Sequence, residues 1–131
     1  MKLLLDTHIW LWISVEADRL APRIGKVLAD PKNELWLSPI SIWELTVLCR
    51  QGRFRTAPDI PTWVAKTMRE LYLIEAPLTV AVTLALPSMK FTHGDPADHL
   101  LAATAKVFDL TLVTADEQLS KLGEIDVLMN R

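Results

Sequence analysis

Asp6, Glu44, Asp98 and Asp116 are the residues whose surroundings in the chain call for a chemical explanation. Asp6 follows the apolar run Leu3-Leu4-Leu5, and Asp116 follows Thr111-Leu112-Val113, so each falls just past the carboxyl end of an expected strand. Glu44 is the only charge between Glu34 and Arg50, and the run Pro39 to Cys49 around it is otherwise apolar or hydroxylic. A helix this apolar is expected to be largely buried. An unpaired buried carboxylate costs several kcal/mol or neutralises itself by taking up a proton. No Lys or Arg lies three or four positions away, so Glu44 needs either a distant Arg or a metal ion, and Ser41, one turn earlier, could orient it. Asp98 shares a helical face with Leu101, Ala102 and Ala105, which turns it inward. Four carboxylates share a pocket only when protons or cations offset their repulsion. An all-oxygen site selects Mg²⁺ or Mn²⁺ over zinc, and such sites hydrolyse phosphodiesters by activating water and neutralising phosphate charge.

Each acid also has a structural reading. Asp6 is a good N-cap for a following helix, and Asp95-Pro96 reads as N-cap plus Pro at the first helical position. Asp98 suits the helix dipole. Thr114-Ala-Asp-Glu117 fits a capping box that uses Thr114 and Glu117 and leaves Asp116 spare, as a supporting or second-metal residue.

Other chemistries lack their residues. There is no G-x-S-x-G elbow, no Walker A loop and no G-x-G-x-x-G. His8, His93 and His99 have no zinc-type spacing with one another or with Cys49. His8 is expected near the pocket at a helix start, and His99 to face solvent or substrate. A haloacid-dehalogenase-type enzyme needs an acid where His8 stands, and a receiver domain needs a Lys near the last strand.

The elements that must position these acids follow from periodicity and breakers. Strands are expected over residues 2–5, 35–37, 73–75, 111–113 and 125–128, and helices over 17–29, 39–50, 62–71, 79–86, 96–108 and 116–122. Ile9 to Ile13 is apolar almost all round, and residues 58–61 and 88–95 read as loops. The alternation predicts a single-domain α/β/α sandwich over residues 1–131 with a central, mostly parallel sheet. Ligands in such sheets bind at the carboxyl ends of the strands, which is where the acids fall.

The 131 residues suffice for one core without staples. The single cysteine, Cys49, cannot form an internal disulfide; a buried thiol and a cytoplasmic setting are expected. No apolar run is long enough for a membrane span. Removing the four assigned carboxylates from the net charge of −2 leaves +2 elsewhere, which permits a nucleic-acid partner. Arg50, Arg53 and Arg55 are candidates for phosphate contacts, or else a solvated basic loop. Trp10 and Trp12 lie on different sides of one helix, so they fit either a partner surface or the core.

With these motifs in order, the chain resembles the PIN-domain family, and within it the VapC-type toxins of toxin–antitoxin pairs. Leu3-Leu-Leu-Asp-Thr-His-Ile-Trp-Leu-Trp12 is similar to the family's strand-plus-Asp opening, and Ser38-Pro-Ile-Ser-Ile-Trp-Glu-Leu45 to its Glu helix. Asp95-Pro-Ala-Asp-His-Leu-Leu-Ala-Ala-Thr-Ala105 and Leu110-Thr-Leu-Val-Thr-Ala-Asp116 are similar to its third and fourth acidic motifs. The resemblance implies an Mg²⁺- or Mn²⁺-dependent endoribonuclease, with Asp6 and Asp98 as principal ligands. Glu44 and Asp116 would complete the pocket, Thr114 would supply a hydroxyl, and Asp95 stands between cap and catalytic acid. It also implies an RNA substrate, a homodimer and a cognate antitoxin. His99 stands where relatives often carry Arg, which leaves substrate contact there open. The alternative is a non-catalytic PIN-like module that binds RNA or protein.

Overall fold

The computed structural model describes residues 1–92 and 94–131; His93 and its part of the expected loop lie outside the described residues. The first strand, β1 (Lys2–Leu5), is the middle of a five-stranded sheet. Beside it lie β2 (Glu34–Leu37) and β4 (Thr111–Thr114), flanked in turn by β3 (Ile74–Glu75) and β5 (Val127–Met129). The order is β3-β2-β1-β4-β5 and every pairing is parallel, with Leu3 opposite Leu35 and Leu5 opposite Val113. The sheet is therefore wholly parallel, and its order reverses between β1 and β4, the position where open α/β sheets take ligands.

Leu3, Leu4 and Leu5 are fully buried, as a strand covered on both faces requires. Leu3 and Leu5 pack with Ile9, Trp10 and Leu11 of α1 (Thr7–Val15), Ile24 and Leu28 of α2 (Pro22–Ala29), Leu45 of α3 (Pro39–Arg50), and Trp63 of α4 (Ile60–Glu70). Leu4 joins a separate cluster with Leu101 and Ala105 of α6 (Pro96–Phe108) and Leu119 of α7 (Glu117–Ser120). This pattern follows from strand alternation: neighbouring side chains leave by opposite faces. A short helix α5 (Val80–Ala85) packs along α6 and runs into a 3-10 turn at Leu86–Ser88.

Several expected elements shift. The helix expected over 17–29 is a 3-10 turn at Ala17–Arg19 followed by α2, because Pro22 has no N–H to extend a helix and takes its first position instead. The loop expected over 58–61 already holds the start of α4: Asp59 caps Thr62 N at 2.8 Å, and Pro61 occupies the first turn. No glycine marks the end of α6; Asp109 takes the left-handed position itself, at φ 54°. Helix α3 is less buried than its composition implies: Ser41 and Leu45 are buried while Trp43 is 59% exposed. Cys49 is half-buried rather than enclosed, and unpaired.

Candidate active site

Asp6 serves as cap and pocket residue together. Its Oδ1 accepts from Thr7 N at 2.7 Å and so caps α1, while Oδ2 accepts from Thr114 Oγ1 at 2.5 Å across the β1–β4 junction. The side chain is 8% exposed. Burial pushes its carboxyl above the ordinary range, against the lowering pull of the Thr114 and Thr7 hydrogen bonds.

Thr114 does not cap a helix. It ends β4, donates to Asp6 and accepts from Asp116 N at 3.0 Å. The expected capping box is therefore absent: Asp116 caps α7 by accepting from Gln118 N at 2.8 Å, and Glu117 turns outward to Arg131 at 3.0 Å. A strand that extends through residue 114 leaves the N-cap position to Asp116. Asp116, expected to be spare, thus doubles as a cap, as Asp6 does.

Glu44 is held by Thr7, whose Oγ1 donates to Glu44 Oε1 at 2.5 Å and lies 2.8 Å from Ser41 Oγ. A hydroxyl has one proton to give, so with Glu44 ionised the Ser41 hydroxyl donates to Thr7. Ser41 reaches the carboxylate through Thr7, not directly as the one-turn spacing suggested. Thr7 was missed in the sequence; only its place directly after Asp6 could have pointed to it. No Arg or Lys pairs with Glu44 among the described residues, which removes the buried-salt-bridge reading. Burial raises its carboxyl, and Asp6 and Asp95 add to that rise against the Thr7 bond.

Asp98 lies one turn into α6, with Leu101, Ala102 and Ala105 of its face fully or almost fully buried. Its carboxyl is pushed up to about 8 by burial and then by the charges of Asp6, Asp95, Asp116 and Glu44. Asp95 caps α6 through Ala97 N at 3.0 Å, with Pro96 first in the helix, and is exposed at the pocket rim.

Asp6, Glu44, Asp95, Asp98 and Asp116 therefore border one cavity of about 380 Å³, together with His8, Trp12 and Ala115. No Lys or Arg lines it. Burial and neighbouring carboxylates raise the proton affinity of Asp6, Glu44 and Asp98, so the pocket is short of positive charge, and its oxygens suit a hard divalent cation. Among the described residues, no three His, Cys, Asp or Glu side chains already form a group that could hold an ion. A site of one or two carboxylates with the remaining positions hydrated, the habit of Mg²⁺, does not require such a group.

The other expected residues separate. Arg53 lines the cavities beside the pocket, whereas Arg50 and Arg55 are exposed and line neither of them. Trp10 is fully buried, donating from Nε1 to Thr67 Oγ1 at 3.1 Å beside Trp63. Trp12 is half-buried at the pocket wall, tilted against His8. His99 stacks on Phe91 with ring centroids 3.8 Å apart, rather than standing in open solvent.

The PIN domain family model matches residues 3–125 of the chain. The chain belongs to the PIN-domain family. It is 35% identical over 117 residues to Ribonuclease VapC22 of Mycobacterium tuberculosis (strain ATCC 25618 / H37Rv), covering 88% of each protein. Solved PIN-like folds agree. VapBC2 from Rickettsia felis, bound to a DNA fragment from its promoter, superposes with a TM-score of 0.75 at 16% identity, over 98% of both chains. VapBC-5 from Mycobacterium tuberculosis, a member of the VapBC family of toxin-antitoxin systems, gives 0.59 at 17%, over 99% of this PIN chain and 98% of that chain. At these identities the two structures support the fold alone.

Proposed function

We propose that this protein is an Mg²⁺- or Mn²⁺-dependent endoribonuclease, the toxin of a toxin–antitoxin pair, formed by one PIN domain over residues 1–131. The observation that carries the reading is the cavity at the β1–β4 switch point, bordered by five carboxylates and by no Lys or Arg. The similarity to a protein named a ribonuclease supports the substrate class, and the likeness to VapBC assemblies supports an antitoxin partner. Among the described residues no helix is long and apolar enough to cross a membrane. A cytoplasmic homodimer completes the proposal, and sedimentation of the purified toxin tests the dimer.

In this reading Asp6 and Asp98 hold the cation, with Glu44 and Asp116 completing the acidic wall. A bound Mg²⁺ or Mn²⁺ supplies charge neutralisation at the phosphate and makes water a competent nucleophile near neutral pH. Thr114 fixes one oxygen of Asp6 and the Thr7 N–H fixes the other, so the carboxylate is oriented before anything binds. Thr7 and Ser41 do the same for Glu44. Asp98 must release its raised proton to present a charged carboxylate to the cation.

Cleavage of a labelled single-stranded RNA tests this. The wild type is expected to cleave with Mg²⁺ or Mn²⁺ and to stop in excess EDTA, and Asp6→Asn and Asp98→Asn to be inactive while folded. Full activity in EDTA, or in both variants, refutes the mechanism. Binding without cleavage across several divalent metals would make the chain a non-catalytic RNA-binding module.

A further inference from the structure

Two cavities beside the carboxylate pocket share part of its lining and bring cations to its edge. A cavity of about 210 Å³, lined among others by His8, Trp43, Glu44 and Arg53, shares His8 and Glu44 with the pocket. Another of about 180 Å³ shares His8 and Trp12 with it and adds Arg19, Arg53 and Phe54. His8 borders all three, so the two smaller cavities lie directly beside the pocket.

Trp43, next to Glu44 in the chain, is 59% exposed, with no ring partner among the described residues. Indoles normally bury most of their area, so this one presents a free face to the cavity wall. Arg53 has no carboxylate partner among the described residues and donates only to Gln51 Oε1, at 3.3 Å. Arg19 sits 5.0 Å from the Trp12 ring centroid, and its surface pairing with Glu16 at 3.7 Å is a weak restraint.

The pocket has no Lys or Arg in its lining, whereas the adjoining cavities add Arg53 and Arg19 beside Glu44 and Glu16. An RNA backbone that delivers a phosphate to the pocket needs cations next to it, and Arg53 and Arg19 are the cations lining the adjoining cavities. We propose that the strip running from His8 through Trp43 to Arg53 and Arg19 is the bed for one flank of a single-stranded RNA. One base stacks on Trp43, and the flanking phosphates meet Arg53 and Arg19. The requirement for a single strand follows from the indole: a ring face can be used only by a base freed from its duplex neighbours. The walls shared with the carboxylate pocket, His8, Trp12 and Glu44, and the cations beside them favour RNA over a protein as the occupant. The inference rests on the ribonuclease reading for its substrate, but its test does not depend on cleavage.

The probe is a fluorescein-labelled 2′-O-methyl RNA of about ten nucleotides, titrated with full-length protein in Mg²⁺, followed by anisotropy and checked on a gel to be intact at the end of the titration. Trp43→Leu is expected to weaken binding about tenfold, and Trp43→Phe, which keeps an aromatic face, to retain most of it. Arg53→Gln is expected to lower the slope of log affinity against log salt by about 0.7, the single-strand value per phosphate. A duplex of the same sequence should bind wild type and Trp43→Leu alike. Wild-type affinity and salt slope in both Trp43→Leu and Arg53→Gln overturn the proposal. So does an unchanged oligonucleotide affinity accompanied by loss of antitoxin binding in Trp43→Leu, which would assign the strip to a protein. Cleavage of the unmodified strand is scored separately: Trp43-dependent binding without any cleavage refutes the nuclease and upholds the bed.

Discussion

Replacing Asp98 with Asn should stabilise the metal-free protein while removing its ability to bind the cation. Burial and four neighbouring carboxylates hold the Asp98 carboxyl at about 8, against an ordinary value of 3.8. The native state therefore binds this proton between those two pH values while the unfolded chain has released it. In that window the native state binds more protons than the unfolded one, so stability falls as pH rises and levels off above about pH 8. At ~1.4 kcal/mol per unit, a shift of about four units sets a ceiling of ~6 kcal/mol. The side chain is only half-buried and borders an open cavity, so solvent screening reduces this to ~1–2 kcal/mol. For a chain of this size that is about 3–8 °C in Tm. The assay is thermal unfolding in EDTA, from pH 4 to pH 9. Asp98→Asn should melt above wild type, with a gap widest near pH 8 and shrinking toward pH 4, where the unfolded Asp begins to take up the same proton. Adding Mg²⁺ should raise the wild-type Tm by mass action and leave the variant unmoved. A variant that melts at or below wild type at pH 8, or a gap that does not vary with pH, refutes the view that burial and neighbouring carboxylates hold the Asp98 proton in this pocket.

Thr114→Val keeps the shape of the β4 end but takes the donor from Asp6 Oδ2. Isothermal titration should show Mn²⁺ binding about tenfold weaker, from the loss of ~1.5 kcal/mol of charge-assisted hydrogen bonding. RNA cleavage at limiting Mg²⁺ should rise with pH up to about 8, because the raised Asp98 proton competes with the cation, and the rise should move to lower pH as Mg²⁺ increases. A rate–pH curve that ignores Mg²⁺ concentration contradicts this. Trp10→Ala should cost ~3–5 kcal/mol in urea unfolding, since it empties a fully buried site and removes the indole donor to Thr67 Oγ1, which keeps its own bond to the Val64 carbonyl.

The sheet was legible because its strands are doubly buried: Leu3-Leu4-Leu5 has no polar residue to mark a solvent face, and such runs belong to parallel sheets. The acids were legible by position, Asp6 past β1 and Asp98 on the small-residue face of α6. What the sequence hid were contacts made by ordinary hydroxyls. Thr7 serves Glu44 and Ser41 across 37 and 34 residues, and nothing local distinguishes it from any helix-starting Thr. Thr114 misled because Ser/Thr-x-x-Glu is a strong local signal, overridden here when β4 pairs through Thr114 with β5. The exposure of Trp43 was equally hidden. Composition fixes how apolar α3 is, but whether both its faces are covered depends on packing partners distant in the chain.

An anomalous-difference map from a crystal soaked in Mn²⁺ at pH 8 tests the central claim most directly. A peak bonded to Asp6 and Asp98 oxygens, with Glu44 and Asp116 facing it directly or through water, is the predicted result. A map with no peak in that cavity, or with the manganese held elsewhere on the chain, would contradict it.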